Sequence, residues 1–495
     1  MNLANLTIDV GTTNTKVSLW NDETPIRPIK QIKFETPKRE TGEFINFDIN
    51  KLWRRLDCAL KDIVKNYTDT IRLISIASVG ESGVLVDEAG HIASPMLAWY
   101  DNRSQTIIDK LTSEEKKTIY TITGLPAHAH YSASKIKWLL ENVVDPQRKY
   151  TWLCIPDLLV YHLTGTMNTE FSIASRTMVF DIMHKRWSHR VKRIFGIENV
   201  EFPRPYPSGT KMAHITKKVA VNLGLSEAVM VTIAGHDHMV GSVSSGQKIG
   251  ELLDSTGTTE GILMLSDKLE MRADQEKKRV AYGIYMNPNL YTVFTALPSA
   301  GSIIEWFQKA NNLTGKDFLR LSDSVYKRYL AGSINFDSIN FIIPHFSGSG
   351  SPIKSTVTKG LWYGLTNQTD IDDLVFGLFL GLTFELKHAV ESLTTHPIKR
   401  IKVIGPGTKD PLWSQLKADL MSSGVKSIET PEAVSRGATI MADFSNNNCW
   451  CLPEVPSEQF SPRKTALVAE LLRVYEMQYK ALYKTKTDFE LSTTR

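Results

Sequence analysis

The stretch that decides the fold runs from Thr232 to Ile262 and reads TIAGHDHMVGSVSSGQKIGELLDSTGTTEGI. An apolar run enters a turn from Gly235 to Val240, where Asp237 lies between two histidines. A second apolar run then leads into Asp254-Ser-Thr-Gly-Thr-Thr259. The glycine in this segment lacks the Cβ that would hold backbone N–H groups away from phosphate oxygens. The stretch therefore predicts an acid and a phosphate-binding loop that are close together.

The same pattern occurs at the N-terminus. An apolar run, Leu6–Val10, precedes Gly11-Thr-Thr-Asn-Thr-Lys16, and strand character resumes at Val17–Trp20. Two apolar runs joined by a short Gly-Thr-Thr turn predict a β-hairpin whose loop fits a phosphate. Two such loops, one in each half of the chain, predict two similar halves that face one nucleotide.

Six motifs in order resemble the FGGY family of carbohydrate kinases. They are Asp9-Val-Gly-Thr-Thr, Tyr131-Ser-Ala-Ser-Lys-Ile-Lys-Trp138, Gly235-His-Asp237, Ser255-Thr-Gly-Thr, Ile404-Gly-Pro-Gly-Thr-Lys409 and Glu432-Ala-Val-Ser-Arg-Gly-Ala438. The resemblance implies an α/β fold of two actin-like (ribonuclease H-like) ATPase domains with a cleft between them. We place the boundary after Gly246. Residues 1–246 would carry the sugar site and the first phosphate loop, and residues 247–495 the second phosphate loop and the adenine site.

Composition excludes several classes of protein. The chain has 495 residues, of which 42% are hydrophobic and 22% charged, enough for two large cores. Its net charge of +5 is too small for this length to indicate nucleic-acid binding. The apolar stretch around Leu374 to Phe384 is interrupted by glycine and predicts a buried helix rather than a membrane span. Four cysteines without metal-ligand or disulfide spacing favour reduced thiols in a cytoplasmic protein. A homodimer is left open.

The resemblance implies transfer of the γ-phosphoryl group of ATP to a sugar hydroxyl. Asp237 matches the position of the general base, and burial in a closed cleft should raise its pKa. Asp9 would hold Mg²⁺, which prefers carboxylate oxygens. Taken alone, Gly-His-Asp-His is more typical of a metal site or a turn acid, and Asp9 of a turn at a strand end.

The nucleotide residues follow from the same motifs. Pro406 replaces the middle glycine of the family's adenine-site turn. Proline has no N–H, so any hydrogen bond that this glycine amide donates to the nucleotide in relatives is lost here. Gly348-Ser349-Gly350, in a loop we expect to be flexible, stands where relatives have Gly-Glu-Arg. The predicted ATP contacts are Gly11, Thr12, Thr13, Asn14 and Lys16 from the first half, and Gly257, Thr258, Thr259, Gly301, Gly405 and Gly407 from the second.

The predicted sugar contacts are Glu81, Trp99, Asp101, Arg103, His236 and His238. In the family a Trp-x-Asp-x-Arg stretch lies at the sugar site, and here it could instead be a core tryptophan beside a surface ion pair. A lone Glu81 carboxylate should accept sugar hydroxyls and repel a sugar acid. His128 and His130 lack a third ligand nearby, so they are weak candidates for a metal pair.

The motifs give conflicting indications of the sugar. The Trp-Tyr-Asp-Asn-Arg run is closer to gluconate and xylulose kinases, whereas Ala-Gly-His-Asp is closer to fuculose kinases. We predict a ketopentose such as xylulose, with fuculose, gluconate and glycerol as alternatives. Two other classes stay open: an actin-like ATPase switch that phosphorylates no sugar, and a non-catalytic sugar sensor. Dependence of ATP turnover on added sugar distinguishes them.

Overall fold

The computed structural model of the chain describes residues 4–21, 26–65, 67, 71–447 and 454–493. Two large sheets carry most of the long strands, with helices packed around them. The strands are β1 Ala4–Val10, β2 Asn14–Asn21, β3 Lys30–Glu35, β4 Lys38–Thr41, β5 Phe44–Phe47, β6 Ile71–Ser78, β7 Gly83–Asp87, β8 Met96–Leu97, β9 Tyr150–Cys154, β10 Asn168–Glu170, β11 Phe180–Asp181, β12 Arg186–Trp187, β13 Val200–Glu201, β14 Arg204–Tyr206, β15 Lys211–His214, β16 Met230–His236, β17 Glu251–Thr256, β18 Glu260–Ser266, β19 Ala281–Ile284, β20 Tyr291–Leu297, β21 Phe341–Ile343, β22 Leu361–Tyr363, β23 Arg400–Ile404, β24 Val425–Ile428 and β25 Ser457–Phe460. The helices are α1 Ile49–Val64, α2 Gln105–Asp109, α3 Ser113–Thr123, α4 Ser132–Asn142, α5 Ile155–Thr164, α6 Phe171–Ser175, α7 His189–Phe195, α8 Lys217–Leu223, α9 Asp237–Ser244, α10 Gly301–Ala310, α11 Gly315–Leu330, α12 Ile371–Leu393, α13 Pro411–Met421, α14 Ala433–Asn447, α15 Ala466–Val474 and α16 Lys480–Thr493.

The first large sheet has the strand order β15-β16-β6-β1-β2-β3. Strands β3, β2 and β1 form an antiparallel meander, and β6 and β16 continue the sheet parallel to β1. The pairing of β1 with β2, which sets Asp9 opposite Lys16, confirms the first predicted hairpin. Val10 and His236 both pair with Ser78, so the carboxyl ends of three parallel strands meet at one edge. Residues that follow these strands are therefore neighbours in space.

The second large sheet repeats this arrangement, with the strand order β19-β20-β18-β17-β23-β24-β25. Strands β20, β18 and β17 form an antiparallel meander, and β23 and β24 lie parallel to β17 and to each other. The β17–β18 pairing, with Thr256 opposite Glu260, confirms the second predicted hairpin. The shared meander and parallel continuation confirm the two similar halves that the repeated loops predicted.

Helix α14 joins the two halves. It comes late in the chain but packs on strands β1, β6 and β16 of the first sheet and along α9. At Gly437 any Cβ would overlap the carbonyl oxygen of Val240 in α9, so glycine is required for this close approach. Arg436 also donates from its Nη1 to the Ser244 carbonyl oxygen at 2.8 Å. The helix that begins at Asp237 is thereby fixed to a helix from the other end of the chain.

The apolar stretch that predicted a buried helix is part of α12, which lies in the core of the second half. Its glycines serve packing, because a Cβ at Gly377 or Gly381 would overlap Asn340 or Ile342. Within the described residues no helix is both long and apolar enough to cross a membrane.

Candidate active site

The predicted catalytic acid lies at the carboxyl edge of the first sheet. The prediction that Asp237 lies within a turn is wrong, since it directly follows β16 and is the first residue of α9. The change from strand to helix depends on Gly235, whose φ of +134° favours glycine. A Cβ at this glycine would also come within 2.6 Å of the Ser172 Oγ. The backbone therefore holds Asp237 at a defined point on the sheet edge.

Two acids at this edge have strongly raised pKa values. Burial raises the pKa of Asp237 to about 7, opposed by a hydrogen bond from the His238 N–H. Burial also raises the pKa of Asp9 to about 7, and Lys16 opposes the rise whereas the charge of Asp237 adds to it. A carboxylate with a pKa near neutrality can both take up and release a proton at physiological pH. This agrees with the raised pKa expected for the general base.

Glu81 follows β6 at the same edge and is not a lone carboxylate. Its φ is +65°, and it is 6% exposed. The Arg176 Nε donates to Glu81 Oε1 at 2.8 Å, so a guanidinium offsets the charge of the carboxylate. The expected repulsion of sugar acids assumed an unpaired carboxylate, and this ion pair removes its basis.

The two histidines that flank Asp237 differ in their surroundings. His236 is buried between two acids, with its Nδ1 3.3 Å from Asp237 Oδ1 and its Nε2 3.9 Å from Glu81 Oε2. Burial holds the pKa of His236 well below its usual value, so the imidazole is neutral. His238 is exposed and stacks on the His236 ring with centroids 5.7 Å apart. The structure thus brings Glu81, His236 and Asp237 together around one space.

Trp99 connects the predicted sugar contacts to the first phosphate loop. Its Nε1 donates to the Thr12 Oγ1 at 2.8 Å, and its ring meets the ring of His130 edge-on at 5.2 Å. Asp101 and Arg103 instead form a buried pair, with Arg103 donating from Nε and Nη2 at 2.8 and 2.7 Å. Asp101 also accepts from the Ile45 N–H at 2.7 Å. Both side chains are therefore engaged within the protein, and their role as sugar contacts stays a prediction.

The first phosphate loop is a tight turn with a cation beside it. The Gly11 N–H donates to the Asn14 carbonyl oxygen at 3.0 Å, which leaves Thr13 exposed at the tip. Lys16 reaches across to Glu432, which precedes α14, with 2.7 Å between Nζ and Oε2. The first loop is thereby tied to the second half of the chain.

The second phosphate loop is held against the start of α10. The Gly301 N–H donates to the Gly257 carbonyl oxygen at 2.9 Å, and Ala300 and Ser302 donate to the Thr258 carbonyl oxygen at 3.1 and 3.2 Å. A Cβ at Gly301 would overlap the Gly257 oxygen, whereas one at Gly257 would meet only the Thr259 oxygen at 3.5 Å. Gly301 is therefore needed for packing, and Gly257 has space on its open side.

The glycine turn that follows β23 packs against the end of β17. Gly405 has a φ of +92°, and a Cβ there would overlap the Thr256 carbonyl oxygen. The Gly407 N–H donates to the Thr256 Oγ1 at 2.8 Å, so this amide is engaged within the protein. The glycine turn is thus packed directly against the end of the strand that leads into the second loop.

Both halves of the chain match models of one protein family. Residues 4–244 match the family model described as the N-terminal domain of the FGGY family of carbohydrate kinases, and residues 252–445 match that of the C-terminal domain. The chain belongs to the FGGY family of carbohydrate kinases. It is therefore a phosphotransferase with an alcohol group as acceptor, and ATP binding follows from the family.

Related proteins differ in their named substrates. The chain is similar to a glycerol kinase of Saccharolobus islandicus (strain M.14.25 / Kamchatka #1), 26% identical over 454 residues, covering 88% of this chain and 87% of the relative. Among solved structures, gluconate kinase from Lactobacillus acidophilus has a TM-score of 0.87 at 18% identity, covering 99% of this chain and 100% of that one. Plasmodium falciparum glycerol kinase with ADP has a TM-score of 0.84 at 18% identity, covering 98% of each chain. These identities show the fold of the FGGY kinase but leave its sugar unresolved.

Two departures from the family pattern have local explanations in this FGGY kinase. Pro406 is the first residue of a 3₁₀-helix, Pro406–Lys409. The N–H of a first helical residue has no partner within the helix, so a proline at this position costs no helix hydrogen bond. The segment around Gly348-Ser349-Gly350, which we expected to be flexible, is tightly packed. The Ser349 N–H donates to the Ser355 oxygen at 2.8 Å, and a Cβ at Gly348 would overlap the same oxygen.

Sequence reasoning missed several buried polar residues of this FGGY kinase. Arg176 is not among the predicted contacts, although an acid such as Glu81 needs a cation when it is buried. Lys135, which is fully buried, donates to the carbonyl oxygens of Trp99 and His130 at 3.0 and 2.7 Å. The available signal was a basic residue among small residues: Lys135 within the Tyr131–Trp138 motif, and Arg176 at the end of Ser172-Ile-Ala-Ser-Arg176.

The predictions about the His128–His130 pair and the cysteines concern residues other than the acids at the sheet edge. In the described part of the chain no three His, Cys, Asp or Glu side chains are grouped to hold a metal. His128 and His130 contact each other, with ring centroids 4.1 Å apart. Cys58 and Cys154 are free thiols. Cys449 and Cys451 lie outside the described residues.

Proposed function

We propose that this FGGY kinase transfers the γ-phosphoryl group of ATP to a hydroxyl of a small sugar, with a ketopentose such as xylulose as the first candidate. The observation that carries the proposal is the edge where β1, β6 and β16 end. It brings Asp9, Glu81 and Asp237 together beside the Gly11 loop. In open α/β sheets, ligands bind outside the carboxyl ends of the strands.

Asp237 would act as the general base. Its carboxylate would accept the proton of the attacking hydroxyl, and a pKa of about 7 suits that task at neutral pH. His236, neutral and 3.3 Å away, would limit how far the carboxylate can rotate. The loops around Gly11 and Gly257 would hold the triphosphate from the two halves, and closure of the cleft would exclude water.

Asp9 fits the Mg²⁺ that phosphoryl transfer needs. Among the described residues its carboxylate has no hydrogen-bond donor, and the neighbouring charges of Asp237 and Glu432 add to its raised pKa. Such a group gains from a nearby dication. Mg²⁺ is commonly bound by one or two carboxylates together with the phosphates, so a three-residue cage is not required. When bound, the ion would offset the charge on the phosphate oxygens.

The remaining assignments belong to the same proposal. Glu81, Trp99, His236 and His238 would line the sugar site, and Gly301 and Gly405 would shape the adenine side. The boundary after Gly246 falls between the two matched family domains. Glycerol is the second candidate acceptor, because similar proteins are named glycerol kinases. A cytoplasmic location and a homodimer stay predictions.

The test is ATP consumption over a panel of ketoses, polyols and aldonates with the wild type and with Asp237→Asn. We expect phosphorylated sugar from the wild type. In the variant kcat should fall roughly 10²–10⁴-fold, because general-base help is lost while the shape of the side chain is kept. ATP affinity measured by calorimetry should be unchanged or slightly higher, since a negative charge is removed.

Asp323→Asn is the matched control, because Asp323 is an exposed aspartate on α11 that pairs with Lys327. It should leave kcat unchanged. Sugar phosphorylation by Asp237→Asn within about threefold of wild type would move the base elsewhere. ATP turnover that does not respond to any sugar would favour an ATPase switch instead.

A further inference from the structure

Arg176 has unused hydrogen-bonding capacity at the proposed sugar site. It directly follows α6 and is 8% exposed. Its guanidinium lies over the Tyr131 ring, 5.1 Å from the centroid, and its Nε donates to Glu81. Among the described residues it hydrogen-bonds to the side chains of Glu81 and Tyr131, which leaves further N–H donors of the five that a guanidinium carries. A buried arginine with free donors points to a ligand that accepts hydrogen bonds.

Gly80 makes the space that Arg176 occupies. A Cβ at this position would lie 3.0 Å from the Arg176 Cβ and 2.8 Å from the His236 Cδ2. Any larger residue would displace His236, Arg176 or both. The backbone then turns into the left-handed region at Glu81, which directs its carboxylate to the guanidinium. The pair is therefore a fixed arrangement of one carboxylate beside one guanidinium.

Glu81 and Arg176 form hydrogen bonds with different groups on a ligand. A carboxylate only accepts hydrogen bonds, so Glu81 Oε2 suits a hydroxyl. A guanidinium only donates, so the terminal nitrogens of Arg176 suit an oxygen that carries no proton. An α-hydroxy ketone offers both groups on adjacent carbons. A polyol offers only hydroxyls, which also accept from the guanidinium, but the proton of that hydroxyl then needs a second acceptor.

Resting on the proposed function, we propose that Arg176 binds the acceptor directly and selects a ketose over the polyol of the same length. Its terminal nitrogens donate to the carbonyl oxygen next to the hydroxyl that Glu81 accepts. Asp237 lies on the other side of His236 and is left for the hydroxyl that reacts. Arg176 is thus a specificity residue for the acceptor and has no part in proton transfer.

The test measures KM and kcat of Arg176→Lys for xylulose and for xylitol. Lysine keeps the positive charge beside Glu81 but loses the planar fork of donors. We expect KM for xylulose to rise about 10- to 100-fold. This is the change in affinity that the loss of one or two hydrogen bonds to a charged group produces. The xylulose-to-xylitol ratio of kcat/KM should fall by a similar factor, and KM for ATP should stay within about twofold.

Arg328→Lys is the matched control, because Arg328 pairs with Asp372 on the surface of the second half. It should change none of these values. If Arg176 acts only by holding Glu81, both acceptors lose efficiency equally, and an unchanged ratio overturns the proposal. Should Arg176→Lys fail to fold, the wild type decides the question. A kcat/KM for xylulose well above that for xylitol is expected, and a ratio of one or less overturns the proposal.

Failure of the inference and failure of the proposed function are separable. If the wild type phosphorylates no member of the panel, the kinase assignment to a small sugar is wrong. If the wild type phosphorylates polyols better than ketoses, only the role given to Arg176 is overturned. Product formed from ketoses, with selectivity lost in Arg176→Lys, supports both.

Discussion

The two hairpins share a sequence pattern and a topology, yet they place their acids on opposite faces. Asp9 stands two residues before Gly11, whereas Asp254 stands three residues before Gly257. Side chains alternate between the faces of a strand, so this offset of one residue reverses the direction of the carboxylate. Asp9 is close to Asp237 at the proposed site. Asp254 is turned into the interior of the second half.

The interior acid of the second hairpin meets a buried lysine. Lys417 of α13 contacts both Asp254 and Glu260, at 2.9 Å for Glu260, and all three side chains are buried. Burial raises the pKa of Glu260 well above its usual value, and the charge of Asp254 adds to the rise. The cluster fixes both strands of the hairpin to a helix behind them. In the proposed mechanism the acid of the first hairpin holds Mg²⁺, whereas the acid of the second anchors its hairpin to α13, so a repeated motif need not carry a repeated role.

The largest expected effect separates the two acids directly. Asp9→Asn should lower kcat by roughly 10²-fold, typical of one lost electrostatic contact to reacting groups, in a protein that folds normally. Asp254→Asn should keep the kcat of the folded enzyme but lower the free energy of unfolding by about 3 kcal/mol, because Lys417 loses a buried partner. Steady-state kinetics and urea unfolding measure the two quantities.

The comparison would fail if Asp254→Asn lost activity without losing stability. The acid of the second hairpin would then act on the nucleotide. Glu260→Gln offers a check on the anchoring role, since it removes the other partner of Lys417. It should lower stability in the same direction as Asp254→Asn and leave KM for ATP unchanged.

The repeat itself was predictable from the sequence, because apolar runs and Gly-Thr-Thr turns are local signals. The actin-like α/β fold of the two domains followed from the family resemblance. The opposite roles of the two acids were not predicted, since Lys417 lies far along the chain from Asp254. The same holds for Arg176 and Glu81, which β6 and α6 bring together. Pairing across long sequence separations depends on tertiary structure, which composition and spacing do not show.

The backbone of the second hairpin gives the next effect. Gly257→Val should weaken ATP binding at least about tenfold, because the side chain would fill the open side where phosphate approaches. It should cost little stability, since the neighbouring Thr259 oxygen is 3.5 Å from the new Cβ. Gly405→Ala should instead destabilise the fold, through overlap with Thr256 and a φ of +92°. Calorimetry with ATP and thermal unfolding distinguish the two outcomes.

Unchanged ATP affinity in folded Gly257→Val would remove the second hairpin from the nucleotide site. The two-loop arrangement would then be a structural repeat without a shared ligand. Thr13→Val gives the corresponding test in the first hairpin, because Thr13 is exposed at the loop tip.

The smallest expected effect is a pH dependence of stability that belongs to the first hairpin. The pKa of Asp9 is about 7 in the folded protein and 3.8 at its ordinary value, so between these limits the folded state binds more protons than the unfolded state. The contribution of Asp9 to stability is therefore most favourable at low pH and is lost as pH rises toward 7. Asp9→Asn lacks this titrating group, so the stability of the variant does not fall in this way as pH rises. Its free energy of unfolding relative to wild type should therefore increase by about 2 kcal/mol between pH 5 and pH 8.

The exposed control Asp323→Asn should show no change over that range. Urea unfolding of all three proteins at both pH values gives the comparison, and an equal pH dependence in wild type and Asp9→Asn would mean that Asp9 is solvated rather than buried at the site.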